Sequence, residues 1–226
     1  MNTNEILVAR RPVAAVQASL AVNRVLRNTY WLLSLTLAFS AAVAAGTAAL
    51  RLPHPGLLLT LVGYFGLLFL TTRFRNSALG LTFVFALTGF MGYTLGPIVS
   101  AYLSLPNGHQ VVMTAMGGTA ATFLGLSAYA LASRKDFSFL GGFLFAGILV
   151  AFLGGLAAMF LQMPALSLAV SAAFVLLMAG LILFETSRLV NGGETNYIMA
   201  TVSLYVAIYN LFLSLLQLLG FASDGD

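Results

Sequence analysis

The sequence predicts an all-α, polytopic membrane protein, a seven-transmembrane-helix bundle with the last helix central. Three observations carry that expectation. Of 226 residues, 60% are hydrophobic and 7% are charged, against about 25% charged in an ordinary soluble domain. The apolar residues fall into seven runs, each near the roughly 20 residues needed to cross about 30 Å of hydrocarbon. The seventh run also carries a row of polar and small residues that a helix facing lipid on all sides would not tolerate. Asn196, Ser203, Asn210 and Gln217 are spaced seven apart, with Ala200, Ala207 and Ser214 between them, so all seven share one side of an α-helix. Buried amides and hydroxyls need partners in a bilayer, which places this side against neighbouring helices or a wet cavity.

Taken in order, residues 1–29 are mixed in polarity and hold Arg10, Arg11, Arg24 and Arg27, with Pro12 expected to interrupt any early helix. No uninterrupted apolar stretch with a small-residue cleavage site precedes Tyr30, so no removable signal peptide is expected. The first apolar run, Tyr30 to Leu50, inserts and stays. The others are expected at about 56–72, 78–102, 110–132, 137–161, 165–185 and 196–220. Short connections join them, so no polar segment is long enough for a soluble domain. The expected organisation is a cytoplasmic N-terminal tail over 1–29, a bundle over 30–220 and a periplasmic C-terminal tail over 221–226.

Orientation follows from positive charge. With the N-terminus inside, the inner side receives the four tail arginines, Arg73, Arg75, Arg134, Lys135 and Arg188, which is nine of the ten basic residues, and only Arg51 lies outside. That bias obeys the positive-inside rule. An odd number of spans then puts Asp224 and Asp226 outside. The net charge of +4 does not point to nucleic acid, because the arginines sit at helix ends and never cluster.

Small residues mark close helix contacts. Gly89, Gly92 and Gly96 in the third run, and Gly147, Ala151 and Gly155 in the fifth, follow or approximate the spacing that lets backbones approach. Pro97 directly after Gly96 removes a backbone donor in mid-span and deprives the Tyr93 carbonyl of its usual partner, so a kink is expected there.

Glu185 is the one acidic residue within a run, at its margin, and a carboxylate in the membrane is a functional candidate because ionising it there is costly. It is expected at the inner end of the sixth helix, with Arg188 one turn away and Arg73 or Arg75 within reach. Two readings stand. One is a structural ion pair; the other is a pH-sensitive latch, in which an arginine holds the inner end shut until protonation weakens the pair, with Ser203 and Asn210 along the path. His54 and His109 are too few for a metal site, and the absence of cysteine excludes thiolate chemistry. Tyr197, Tyr205 and Tyr209 read as packing or interfacial groups. No serine or threonine has a histidine or lysine base at a suitable position, and no run contains an aspartate, so neither catalysis nor a cofactor is expected.

Several stretches are similar to a known family: Val25-Leu-Arg-Asn-Thr-Tyr30, Gly92-Tyr-Thr-Leu-Gly-Pro97, Arg134-Lys-Asp-Phe-Ser-Phe-Leu-Gly-Gly142, Phe184-Glu-Thr-Ser187 and the segment from Gly192-Gly-Glu-Thr-Asn-Tyr to Tyr205. From about residue 23 onward the chain resembles the Bax inhibitor family in its bacterial, YccA-like branch. The resemblance implies a seven-helix fold around the last helix. For the wider family it implies a pH-sensitive calcium leak gated by two carboxylates and an arginine; one carboxylate position matches Glu185, the other matches the uncharged Ala207. A lone carboxylate does not share a proton as a pair does, and calcium loses an oxygen ligand. For the bacterial branch it implies an inner-membrane protein that binds and restrains FtsH, a membrane-anchored ATP- and zinc-dependent protease, together with its associated membrane complex. Residues 1–28, with Arg10, Arg11, Arg24 and Arg27, are then the expected point of engagement. A proton or calcium leak, or a membrane scaffold without a defined ligand, is the alternative.

Overall fold

The computed structural model describes the backbone of residues 3–223 and side chains from Leu20 onward. Within that range lie seven helices: α1 (Thr3–Ala49), α2 (Leu57–Arg73), α3 (Ala78–Leu103), α4 (Gly108–Ser133), α5 (Leu140–Phe160), α6 (Pro164–Val190) and α7 (Tyr197–Ser223). Six of them contain apolar stretches of 21 to 30 residues. At 17 residues α2 is the shortest and sits at the lower limit for a span, about 1.5 Å per residue against about 30 Å of hydrocarbon.

Most boundaries fall where apolar periodicity and turn residues put them; two differ. The helix of α1 is continuous from Thr3, through the position of Pro12 that was expected to break it. The sixth helix does not stop at Glu185 but runs to Val190. The reason lies in its end. Gly192 adopts φ +74°, its N–H donates to the Leu189 carbonyl and the Gly193 N–H donates to the Arg188 carbonyl, which is the paired-bond stop that a left-handed glycine gives a helix. The polar residues Thr186, Ser187 and Arg188 are therefore helical, and the connection to α7 is only Asn191–Asn196.

The last helix is the axis. It packs against α1, α3, α4 and α6, and Leu204, Tyr205, Ala207, Leu211 and Leu216 on it are essentially inaccessible. Its enclosure is by four helices rather than six: α2 packs on α3 and α5 packs on α6. Exposed Leu58, Phe69, Phe143, Phe145 and Val150 on these two helices face outward, as they do where the surrounding solvent is lipid.

The expected glycine seams exist. A side chain at Gly96 would fall on the Thr47 hydroxyl and the Ala44 carbonyl, one at Gly92 on the Ser40 carbonyl, and one at Gly89 2.8 Å from the Phe39 ring. At Gly92 and Gly96 successive turns of α3 thus meet α1 at backbone distance. On α5, a side chain at Gly147 would meet Leu177 at 2.6 Å and one at Gly155 would meet Val170 at 3.6 Å, so that row joins α5 to α6. Pro97 lies inside α3, which stays helical on both sides of it.

Candidate functional site

Of the polar row, Asn196 and Ser203 meet the α2–α3 connection and α6 at one end of the bundle, and Gln217 meets the first turns of α6 towards the other. Asn196 immediately precedes α7 and caps it: its Oδ1 accepts from the Ile198 and Met199 N–H groups at 3.0 and 3.1 Å, satisfying donors that the first turn leaves free. Its amide nitrogen donates to the Arg75 carbonyl at 3.1 Å and to Asn76 Oδ1 at 2.8 Å. One residue therefore starts α7 and ties it to the α2–α3 connection. Asn196→Ala is expected to cost about 1 kcal/mol through the cap, read as a lower unfolding temperature in detergent.

About two turns and about six turns further on, the polar row closes onto α6. The Ser203 hydroxyl donates to Glu185 Oε1 at 2.9 Å. Gln217 accepts from Ser171 at 2.6 Å and donates to Ser167 at 2.5 Å. Between them Ala207 is fully buried, which allows α6 and α7 to approach. Asn210 differs from its neighbours in the row: its amide donates to the Val206 carbonyl of its own helix at 2.9 Å. It borders an apolar cavity of about 380 Å³ that also meets Tyr64 of α2, Thr94 of α3, Phe152 of α5 and Tyr209 of α7.

Glu185 is 7% exposed and lies between two partners, Ser203 and the Arg188 guanidinium at 3.6 Å. Arg188 stacks over the Phe184 ring and reaches a second carboxylate, Glu194, at 3.4 Å, with a further bond to the Gly193 carbonyl. Arg73 and Arg75 do not join this cluster: both are exposed, and among the described residues the ion pairs of Glu185 and Glu194 are with Arg188. Their expected pairing is corrected by the extension of α6, which puts Glu185 inside the helix and brings the i+3 arginine to it.

The neighbouring residues of α6 bind three other parts of the chain. Thr186 meets Ser127 of α4 at 3.4 Å. Ser187 donates to the Lys135 carbonyl at 2.8 Å, accepts from the Phe137 N–H at 3.1 Å and accepts from the Asn191 amide at 3.3 Å. Four consecutive side chains thus fasten α7, α4, the α4–α5 connection and the α6–α7 connection to one helical turn. Sequence reading found Glu185 and Arg188 but missed Glu194, Thr186 and Ser187. Glu194 follows a helix stop, where periodicity carries no information; the left-handed Gly192 was the available signal. Tyr205 and Tyr209 are packing groups as expected, with their hydroxyls bonded to Ser40 at 2.5 Å and Thr94 at 2.9 Å.

The start of the span in α1 and the α2–α3, α4–α5 and α6–α7 connections share this end, since Asn196 meets Arg75, Ser187 meets Lys135, and Gly192 lies against Val22. Arg24, Arg27, Arg73, Arg75, Arg134, Lys135 and Arg188 are all at it. Arg10 and Arg11 lie outside the described side chains, and Asp224 and Asp226 outside the described residues. At the opposite end the Tyr93 hydroxyl donates to the Pro53 carbonyl near Arg51. His54 accepts the Gly56 N–H there, and among the described residues no group of three potential metal ligands occurs.

The family model described as inhibitor of apoptosis-promoting Bax1 matches residues 22–224. The chain is 59% identical over 204 residues to the modulator of FtsH protease YccA of Escherichia coli K12, covering 90% of this chain and 93% of that protein. It is 55% identical over 213 residues to an uncharacterized protein of Pseudomonas aeruginosa, covering 94% and 96%. An uncharacterized membrane protein of Vibrio cholerae is 44% identical over 214 residues, covering 94% and 96%. Matches to the family model and to these relatives, each spanning about nine tenths of the chain, place it in the Bax inhibitor family.

Proposed function

We propose that this chain binds and restrains the membrane protease FtsH from within the bacterial inner membrane. The observation that carries the reading is 59% identity, over nine tenths of the chain, to a protein named as a modulator of that protease. The fastened inner end supports it. A protease that works by pulling a chain out of the membrane must first break the cluster on α6, because four separate parts of the bundle are bonded to that turn. Local opening there is costly, so a chain engaged by its end is held and released slowly. The end bearing seven described basic residues is the cytoplasmic one under the positive-inside rule, which puts the N-terminal residues on that side and the C-terminus in the periplasm. Arg10, Arg11, Arg24 and Arg27 are then available to the protease or its associated complex.

The test is affinity purification of the full chain in mild detergent from cells that contain the protease, beside a variant lacking residues 1–20. Co-purification by the full chain and its loss in the shortened one is the expected result. Equal recovery and equal inhibition of proteolysis by both would exclude the N-terminal residues as the point of engagement. Absence of the protease from both would remove the function itself.

The buried Glu185 between Ser203 and Arg188 favours a second reading, a pH-gated proton or cation leak. The family's other carboxylate position is the fully buried Ala207, so Glu185 would act without a partner carboxylate on α7. Flux through reconstituted protein that is unaltered by Glu185→Gln at every pH would exclude it.

A further inference from the structure

A recess of about 300 Å³ opens between α1, α4 and α6 at the basic end, lined by Val22, Asn23, Leu26, Leu131, Arg134 and Val190. We infer that it is a binding site for one anionic phospholipid, with the headgroup phosphate at Arg134 and Asn23 and the upper acyl chain along Leu26, Leu131 and Val190.

Three features point to that occupant. The first is level: the recess sits where α4 and α6 end and the apolar stretch of α1 begins at Leu20, which is the height of headgroups and not of acyl tails. The second is the division of its wall. Four aliphatic side chains line it together with one cation and one amide, the combination that an amphiphile with a negative head requires. The third is charge. Arg134 is exposed and forms no ion pair among the described residues; Arg27, one turn from Asn23 on α1, is likewise exposed and unpaired among them. The nearby carboxylate, Asp136, is engaged by the Ser138 N–H at 2.8 Å, and Lys135 is turned to the Tyr129 hydroxyl. A phosphodiester at Arg134 therefore meets an uncompensated guanidinium, whose planar fork suits two phosphate oxygens.

Arg134 also holds φ +51°, a backbone position where glycine is the easy choice, so the residue is not there for the backbone's sake. Arg51 provides a matched control. It has φ +52°, is exposed, and lies at the opposite end, away from the lining of this recess. The inference stands apart from the protease reading, although the Lys135 carbonyl beside the site is the acceptor for Ser187, so a bound lipid would brace the same end of the bundle.

The experiment is native mass spectrometry of the delipidated full chain titrated with dioleoyl phosphatidylglycerol or dioleoyl phosphatidylethanolamine. At least fivefold greater retention of phosphatidylglycerol is expected, falling to the phosphatidylethanolamine level in Arg134→Gln, kept in part by Arg134→Lys and unchanged in Arg51→Gln. Thermal unfolding in detergent confirms that the variants are folded. Equal retention of the two lipids, or an undiminished preference in Arg134→Gln, overturns the site. Displacement of the lipid by millimolar inorganic phosphate overturns it as well, by making it a free-anion site.

Discussion

Replacing Glu185 with alanine is expected to destabilise the bundle by about 1.5–3 kcal/mol, the range for hydrogen bonds to charged groups. The substitution strands two partners at once. The Ser203 hydroxyl loses its acceptor on α6, and Arg188 loses the nearer-buried of its two carboxylates, leaving Glu194 alone to balance it. Most of the loss comes from Ser203 and the carboxylate itself, because the Arg188 side chain is 32% exposed and water screens that part of the pair. Glu185→Gln keeps an acceptor for Ser203 and is expected to lose less than the alanine variant. Thermal unfolding in detergent of the two variants beside the unaltered chain measures the difference; equal unfolding temperatures for all three would mean that the cluster does not hold α6 to α7.

The second large effect lies in the α1–α3 seam. Gly96→Leu is expected to cost about 3 kcal/mol or more, the upper part of the range for overfilled interiors, because the new side chain meets the Ala44 carbonyl and the Thr47 hydroxyl, and Thr47 Cβ lies at 3.0 Å from its first carbon. A backbone carbonyl cannot swing aside, so α1 has to move away from α3 along several turns. Gly66→Ala is the control, since nothing lies within 4 Å of that position; a small gain in stability is expected there from the better helix former. Reduced unfolding temperature and faster proteolysis of Gly96→Leu, with neither in Gly66→Ala, is the expected pattern.

What was legible beforehand followed from periodicity and charge. Seven apolar runs marked the helices, and the spacing of Asn196, Ser203, Asn210 and Gln217 marked the inward side of α7, because both signals repeat along one element. The nine-to-one distribution of basic residues showed which connections share an end. The parts that escaped depend on contacts between elements distant in sequence or on a single backbone angle. The extension of α6 to Val190 turns on Gly192, and the bonds of Ser187 reach a segment some fifty residues earlier. Asn210 was grouped with its row by spacing, yet its amide bonds within its own helix, a choice that periodicity does not encode. Arg73 and Arg75 were placed near Glu185 by loop proximity alone, and side-chain reach was decided instead by the i+3 geometry of Arg188.

The claim on which the functional reading turns is that a bundle fastened at its inner end occupies the protease without being extracted. It is tested most directly in proteoliposomes holding FtsH, ATP, a membrane reporter substrate and this chain, by following the decay of reporter and chain together. The expected result is slowed decay of the reporter while the chain persists, with both effects weakened in step in Glu185→Ala. A reporter that decays at the same rate with and without the unaltered chain would contradict it.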